Sequence, residues 1–279
     1  MNMTLSARNT CFKIGISVSG LSLAIIIAAA FVILPAYPKA LEESVSRAAG
    51  IFQFFVTNRL EASPYVPFAT VAGAVLFSLI GIILISYFFE KTQCQEILFV
   101  GLFVLSFAFE SLRIMIPLKE VLEFPILYAA NGTRVLIFGR YFGLFSLFAA
   151  SLYSAGLQVQ KQQNIIFFCV IGSMVIALGI PVDGLSWDTT LSMLSDYSEA
   201  FAMIQWGILG ITATSFFISA YTRGSKEYVY IGLGVLITYL GRDILLNSDT
   251  WISPVPGLIF LSLGTWFLCI KLHKIYLWF

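Results

Sequence analysis

Charge is what this sequence has least of. Of its 279 residues, 16 are Lys or Arg and 15 are Asp or Glu, so 11% are charged. A typical soluble domain carries about 25%. So few charges cannot cover a water-soluble globule, which excludes a soluble enzyme and a disordered chain. A basic excess is missing too. The net charge of +1 offers none of the electrostatic footprint a nucleic-acid-binding protein needs.

Histidine occurs once, as His273, beside Lys271 and Lys274. That excludes a multi-histidine zinc centre of an intramembrane hydrolase. There are four cysteines, Cys11, Cys94, Cys169 and Cys269, in no CxxC or Cys/His spacing. Neither a metal set nor a disulfide framework is expected from them. No GxxxxGK[ST] or GxGxxG pattern occurs, so no nucleotide loop is expected, and no cofactor. A retinal-binding lysine in the middle of the last apolar run and a rhomboid-type GxSG serine are also missing.

What is abundant is apolar: 59% of the residues are hydrophobic. A bilayer-spanning helix needs about 20 of them in a row. Six windows between charged residues meet this: Lys13 to Lys39, Glu61 to Glu90, Arg140 to Lys161, Lys161 to Asp183, Glu199 to Arg223, and Asp249 to Lys271. Two further runs are interrupted near one end. One starts at Ile97 and meets Glu110 and Arg113; the other starts at Tyr228 and meets Arg242 and Asp243.

The distribution of Lys and Arg decides whether these two span. With eight spans and the N-terminus inside, short cytoplasmic segments hold Arg8, Lys13, Lys91, Lys161, Arg223, Lys226, Lys271 and Lys274. The longer outer segments hold Lys39, Arg47, Arg59, Lys119 and Arg134. Six spans would put Lys161 outside. The expected fold is therefore all-α: one transmembrane domain over 1–279, with spans near 14–35, 65–89, 95–117, 134–157, 163–182, 199–222, 228–247 and 253–271. Both termini are expected in the cytoplasm, in a bacterial-type cytoplasmic (inner) membrane. The first apolar run is about 22 residues, longer than the 7–15 of a signal-peptide core, so it is read as an uncleaved span.

The longest outer loop carries Leu41, Val45, Ala48, Phe52, Phe55 and Val56 at helical spacing, with Glu42, Glu43, Arg47, Gln53 and Arg59 opposite. This predicts an amphipathic helix on the outer membrane surface. A second outer loop is acidic, with Asp183, Asp188, Asp196 and Glu199, but lacks the spacing of a calcium loop.

Five ionisable residues fall inside expected spans: Glu110, Arg113, Arg140, Arg242 and Asp243. Each costs about 2.5–3.5 kcal/mol at a helix centre on insertion scales. Counting about 1.5 Å per residue from the expected outer ends puts all five in one thin outer-leaflet layer. Glu110 and Arg113 share a helix face. Arg242 and Asp243 are adjacent and point about 100° apart, so each faces a different neighbour. Arginine at three places suits planar, bidentate partners such as carboxylate or phosphate. Gly139 and Gly241 directly precede Arg140 and Arg242 and permit close helix approach.

Three functions fit such a layer. One is a sensor-like or transporter-like component binding an anionic lipid headgroup or small anionic ligand. Another is a structural or assembly subunit whose ion pairs hold helices or a membrane-protein partner. The third is an intramembrane lipid-modifying enzyme with Glu110 or Asp243 as base. No nucleophile–base pair is visible, so an enzyme is the least favoured.

Overall fold

The computed structural model describes residues 5–48, 65–90, 92, 94–157, 162–180, 188, 190–191 and 198–278. Among these, every regular element is helical. The elements are α1 (Leu5–Ala48), α2 (Val66–Phe88), α3 (Gln95–Ser106), a 3₁₀ segment (Phe107–Ile114), α4 (Met115–Leu122), α5 (Ile126–Ser154), α6 (Gln162–Gly179), α7 (Ser198–Arg223), α8 (Glu227–Leu246) and α9 (Pro254–Trp278). α3, the 3₁₀ segment and α4 together form one 28-residue rod, Gln95–Leu122. Counted so, eight helices are long and apolar enough to cross a membrane, and the chain is an α-helical membrane bundle. Beyond Ala48, the amphipathic helix expected over 41–60 lies outside the described residues. So does the acidic loop, apart from Asp188 and the backbone of Glu199.

Four helix ends meet at one end of the bundle. The Arg8 guanidinium donates to the carbonyls of Phe89 (2.8 Å), Glu90 (2.7 Å) and Thr92. These carbonyls lie at and just past the end of α2, where a helix leaves acceptors without partners. The Phe89 ring meets His273 edge-on at 5.3 Å, which brings the far end of α9 to the same place. Lys271 and Lys274 of α9 grip Glu227 at the start of α8, at 2.9 and 2.6 Å.

The 28-residue rod is the most buried of the eight and forms the axis of the bundle, while α1, α6 and α7 are the most peripheral. Phe103, Phe107, Leu144, Phe216, Val235 and Leu268 join α3, α5, α7, α8 and α9 in one apolar core. Helices approach closely where a glycine removes the side chain. A Cβ on Gly139 would lie 2.5 Å from Cβ of Phe109, and one on Gly143 would strike Ser106. On α8 and α9 the glycines let backbone touch backbone: Gly241 against Leu261, Gly257 against Leu245, Gly264 against Thr238. As one index rises, the other falls by the same amount, which is the register of two antiparallel helices in continuous contact.

Candidate functional site

All five ionisable residues picked out within spans are described, and they fall on three elements. Glu110 and Arg113 belong to the 3₁₀ segment, Arg140 to α5, Arg242 and Asp243 to α8. Eight residues is long for a 3₁₀ stretch. Residues three apart eclipse in this helix, so Phe107, Glu110 and Arg113 lie along one edge. All three are buried, at 2%, 2% and 1% exposure. Ser106 and Ser111 each donate their hydroxyl to the carbonyl three residues back, at 2.7 and 2.8 Å.

Glu110 is the centre of the cluster. Both its oxygens accept from Arg140, Nε to Oε1 at 2.8 Å and Nη2 to Oε2 at 2.9 Å. This is the bidentate fork that arginine geometry favours. The pair joins α5 to the 3₁₀ segment and places the two residues at one level. Arg113 reaches the same carboxylate with Nη1 only at 3.7 Å. Its Nη2 donates to the Thr190 carbonyl. Its Nε and Nη1 are buried without a hydrogen-bond partner.

Arg242 is 4% exposed and lies with its guanidinium 5.4 Å from the Tyr239 ring centre. Among the described residues, no carboxylate comes within 4.0 Å of it. Its electrostatic neighbours are Tyr239, Arg140, Glu110 and Asp243. Asp243 itself is half-buried and accepts a hydrogen bond from Asn247 at 2.9 Å. Asp188 lies within electrostatic reach of Arg113. The five residues thus divide: Glu110, Arg140 and Arg113 are in direct contact, while Arg242 and Asp243 act from the adjoining helix.

Neutral residues that carry no charge signal in the sequence complete the layer. Tyr141, next to Arg140, is 1% exposed and donates its hydroxyl to the Phe201 carbonyl at 3.1 Å. Tyr239 donates to Oε1 of Gln205 at 3.3 Å, and Gln205 is also a side-chain partner of Tyr141. Trp206 meets the Tyr239 ring edge-on at 5.2 Å. These contacts tie α7 into a network otherwise built by α5 and α8. A signal was available: Gln205 is polar within an apolar span, and such residues usually hydrogen-bond across helices.

The helices differ from the expected spans where the layer sits. The rod bearing Glu110 runs to Leu122 and α5 begins at Ile126. The expected ends were 117 and 134, so both elements continue past the distances used to count depth. The Glu110–Arg140 contact shows a shared level without that count.

No protein-family model matches the chain, and no solved structure matches it. The chain is similar to an uncharacterized protein of the bacterium Treponema pallidum (strain Nichols), at 21% identity over 240 residues. The match covers 68% of this chain and 69% of that protein. The likeness carries no activity with it. Eight apolar helices among the described residues make it a multi-pass membrane protein, with Glu110, Arg113 and Arg140 in contact inside the bundle.

Proposed function

We propose that this protein binds an anionic lipid headgroup or small anion through the layer of Glu110, Arg113, Arg140, Arg242 and Asp243, as a sensor-like or transporter-like component. The observation that carries this is a charge imbalance at contact distance. Among the described residues, two of the three guanidiniums share one carboxylate within 4.0 Å, and the third, Arg242, has none. Buried charges are normally paired, because an unpaired one is costly in a low-dielectric interior. Asp243 and Asp188 supply negative charge only from farther away, and both keep contact with the surroundings. Of the three arginines, Arg140 has the most open side chain, at 20% exposure, and it marks the way in.

The Lys/Arg distribution supports an N-in, C-in orientation in a bacterial cytoplasmic membrane, with this layer in the outer leaflet. The test is thermal unfolding of the purified protein in neutral detergent with added anions or anionic lipid. A binder of the native state raises the midpoint. A midpoint that no anion and no anionic lipid moves overturns the reading.

One observation favours a second, structural reading. The bidentate Glu110–Arg140 pair is a complete ion pair between two helices, and such a pair fixes register without any ligand. In that reading the layer holds the bundle, or the bundle and a membrane partner, together.

A further inference from the structure

We propose that the anion is a phosphate-type oxyanion seated between Arg140 and Arg242, with Tyr141, Gln205 and Tyr239 as its neutral partners. This rests on the anion-binding reading above and narrows it to one place and one chemistry.

The place follows from what each donor already does. Arg140 gives Nε and Nη2 to Glu110, which leaves its Nη1 edge uncommitted to any carboxylate. Arg242 has no carboxylate in ion-pair contact among the described residues, yet it is buried and within electrostatic reach of Arg140. Two like charges in one dry layer repel, and the repulsion falls when an anion lies between them. Arg113 belongs to the other side: its neighbours are Glu110, Arg140, Asp188 and the Thr190 carbonyl.

The chemistry follows from charge and donor count. On this side Arg140 shares Glu110, while Arg242 has no carboxylate within 4.0 Å among the described residues, which leaves one guanidinium without a contacting counter-charge. A phosphate-type oxyanion, free or esterified, balances that charge and offers more acceptor oxygens than a carboxylate, enough for two guanidinium edges. Guanidinium forks match phosphate geometry, and here two of them come from different helices. Gln205 sits between the two tyrosines that flank these arginines. Its amide brings two N–H donors and no charge. A glutamate at this position would fill the place with the protein's own carboxylate. α7, which carries Gln205, is one of the least buried helices, so this side of the layer adjoins the lipid-facing surface.

Either a phospholipid headgroup or free phosphate could supply the oxyanion, and the experiment separates them. Unfolding midpoints are read in neutral detergent with inorganic phosphate, acetate or chloride at matched ionic strength. Phosphate raises the midpoint in proportion to the logarithm of its concentration, and acetate and chloride do not. Arg242→Gln removes the phosphate shift. Gln205→Glu also removes it, while raising the midpoint of the protein without phosphate; this variant keeps both arginines and carries the test if Arg242→Gln fails to fold. The protein is then placed in bilayer discs of phosphatidylcholine alone or with phosphatidylglycerol. If the headgroup is the ligand, phosphatidylglycerol raises the midpoint and abolishes the response to free phosphate. If free phosphate is the ligand, the response is equal in both discs. Either result supports the phosphate assignment. Acetate acting as strongly as phosphate, or Arg242→Gln keeping the full shift, overturns this inference but leaves anion binding standing. No response to any anion or lipid overturns both.

Discussion

Arg140 holds both carboxylate oxygens of Glu110, at 2.8 and 2.9 Å, across the contact between α5 and the 3₁₀ segment. The approach is possible because Gly139 lets the α5 backbone press on Phe109, the residue before Glu110. One glycine–phenylalanine contact and one ion pair therefore set the position of each other.

Breaking that pair from one side should be severe. Removing one partner of a buried ion pair typically costs about 3–5 kcal/mol, because the other charge is left uncompensated. Arg140→Gln and Glu110→Gln should each lower the unfolding midpoint in detergent. The Glu110→Gln/Arg140→Gln double variant should recover part of the loss, since a cycle of mutants isolates the coupling. Double-variant losses that simply add would show that the two residues do not act as a pair. Rescue together with indifference to anions and anionic lipid would favour the structural reading over binding.

The glycines give a matched pair of experiments. A Cβ on Gly241 would meet the backbone of Leu261, which cannot swing aside. Gly241→Ala should destabilise by roughly 1–3 kcal/mol, the usual cost of overpacking. Around Gly207 and Gly210 on α7 nothing lies within 4 Å of such a Cβ. Alanine there should be neutral, or stabilising by up to about 1 kcal/mol through helix propensity. Unfolding curves of the three variants would contradict the α8–α9 packing if Gly241→Ala behaved like the α7 pair.

Thiol labelling probes the end of the bundle where Arg8, Phe89 and His273 come together. Burial and the nearby Glu96 carboxylate push the Cys94 thiol well above its ordinary range, and its Sγ donates to Glu96 at 3.0 Å. The reactive species is the thiolate. Cys94 should therefore react slowly with maleimide at neutral pH and faster as pH rises or after unfolding. Rapid labelling of Cys94 at pH 7 in the folded protein, located by mass spectrometry, would show that this end is open.

Orientation is read by reporter fusions. Fusions after Lys161 and after Lys226 should report the cytoplasm, and one near Asp188 the outside. A cytoplasmic signal at Asp188 would remove the eight-span orientation and, with it, the outer-leaflet placement of the arginines.

The charged half of the layer was legible in the sequence because a charge in an apolar run is expensive and hence conspicuous. Glu110, Arg113 and Arg140 stand out for that reason and lie in contact. The neutral half was not: a tyrosine in a span looks like any other aromatic, so Tyr141 and Tyr239 gave no sign of sharing Gln205. The eight helices followed from run length and the Lys/Arg asymmetry. The 3₁₀ segment did not, because Phe107–Ile114 contains neither proline nor glycine. It is packing and back-bonding serines, rather than composition, that mark this stretch.

The matched glycine register of α8 and α9 has a consequence for how the chain is built. Their contacts pair residues no more than a few tens apart in sequence: Leu245 with Gly257, Gly241 with Leu261, Thr238 with Gly264. Closing so short a loop costs little entropy, and contacts this local form fast. The last two helices can thus zip together as a finished hairpin when they leave the ribosome.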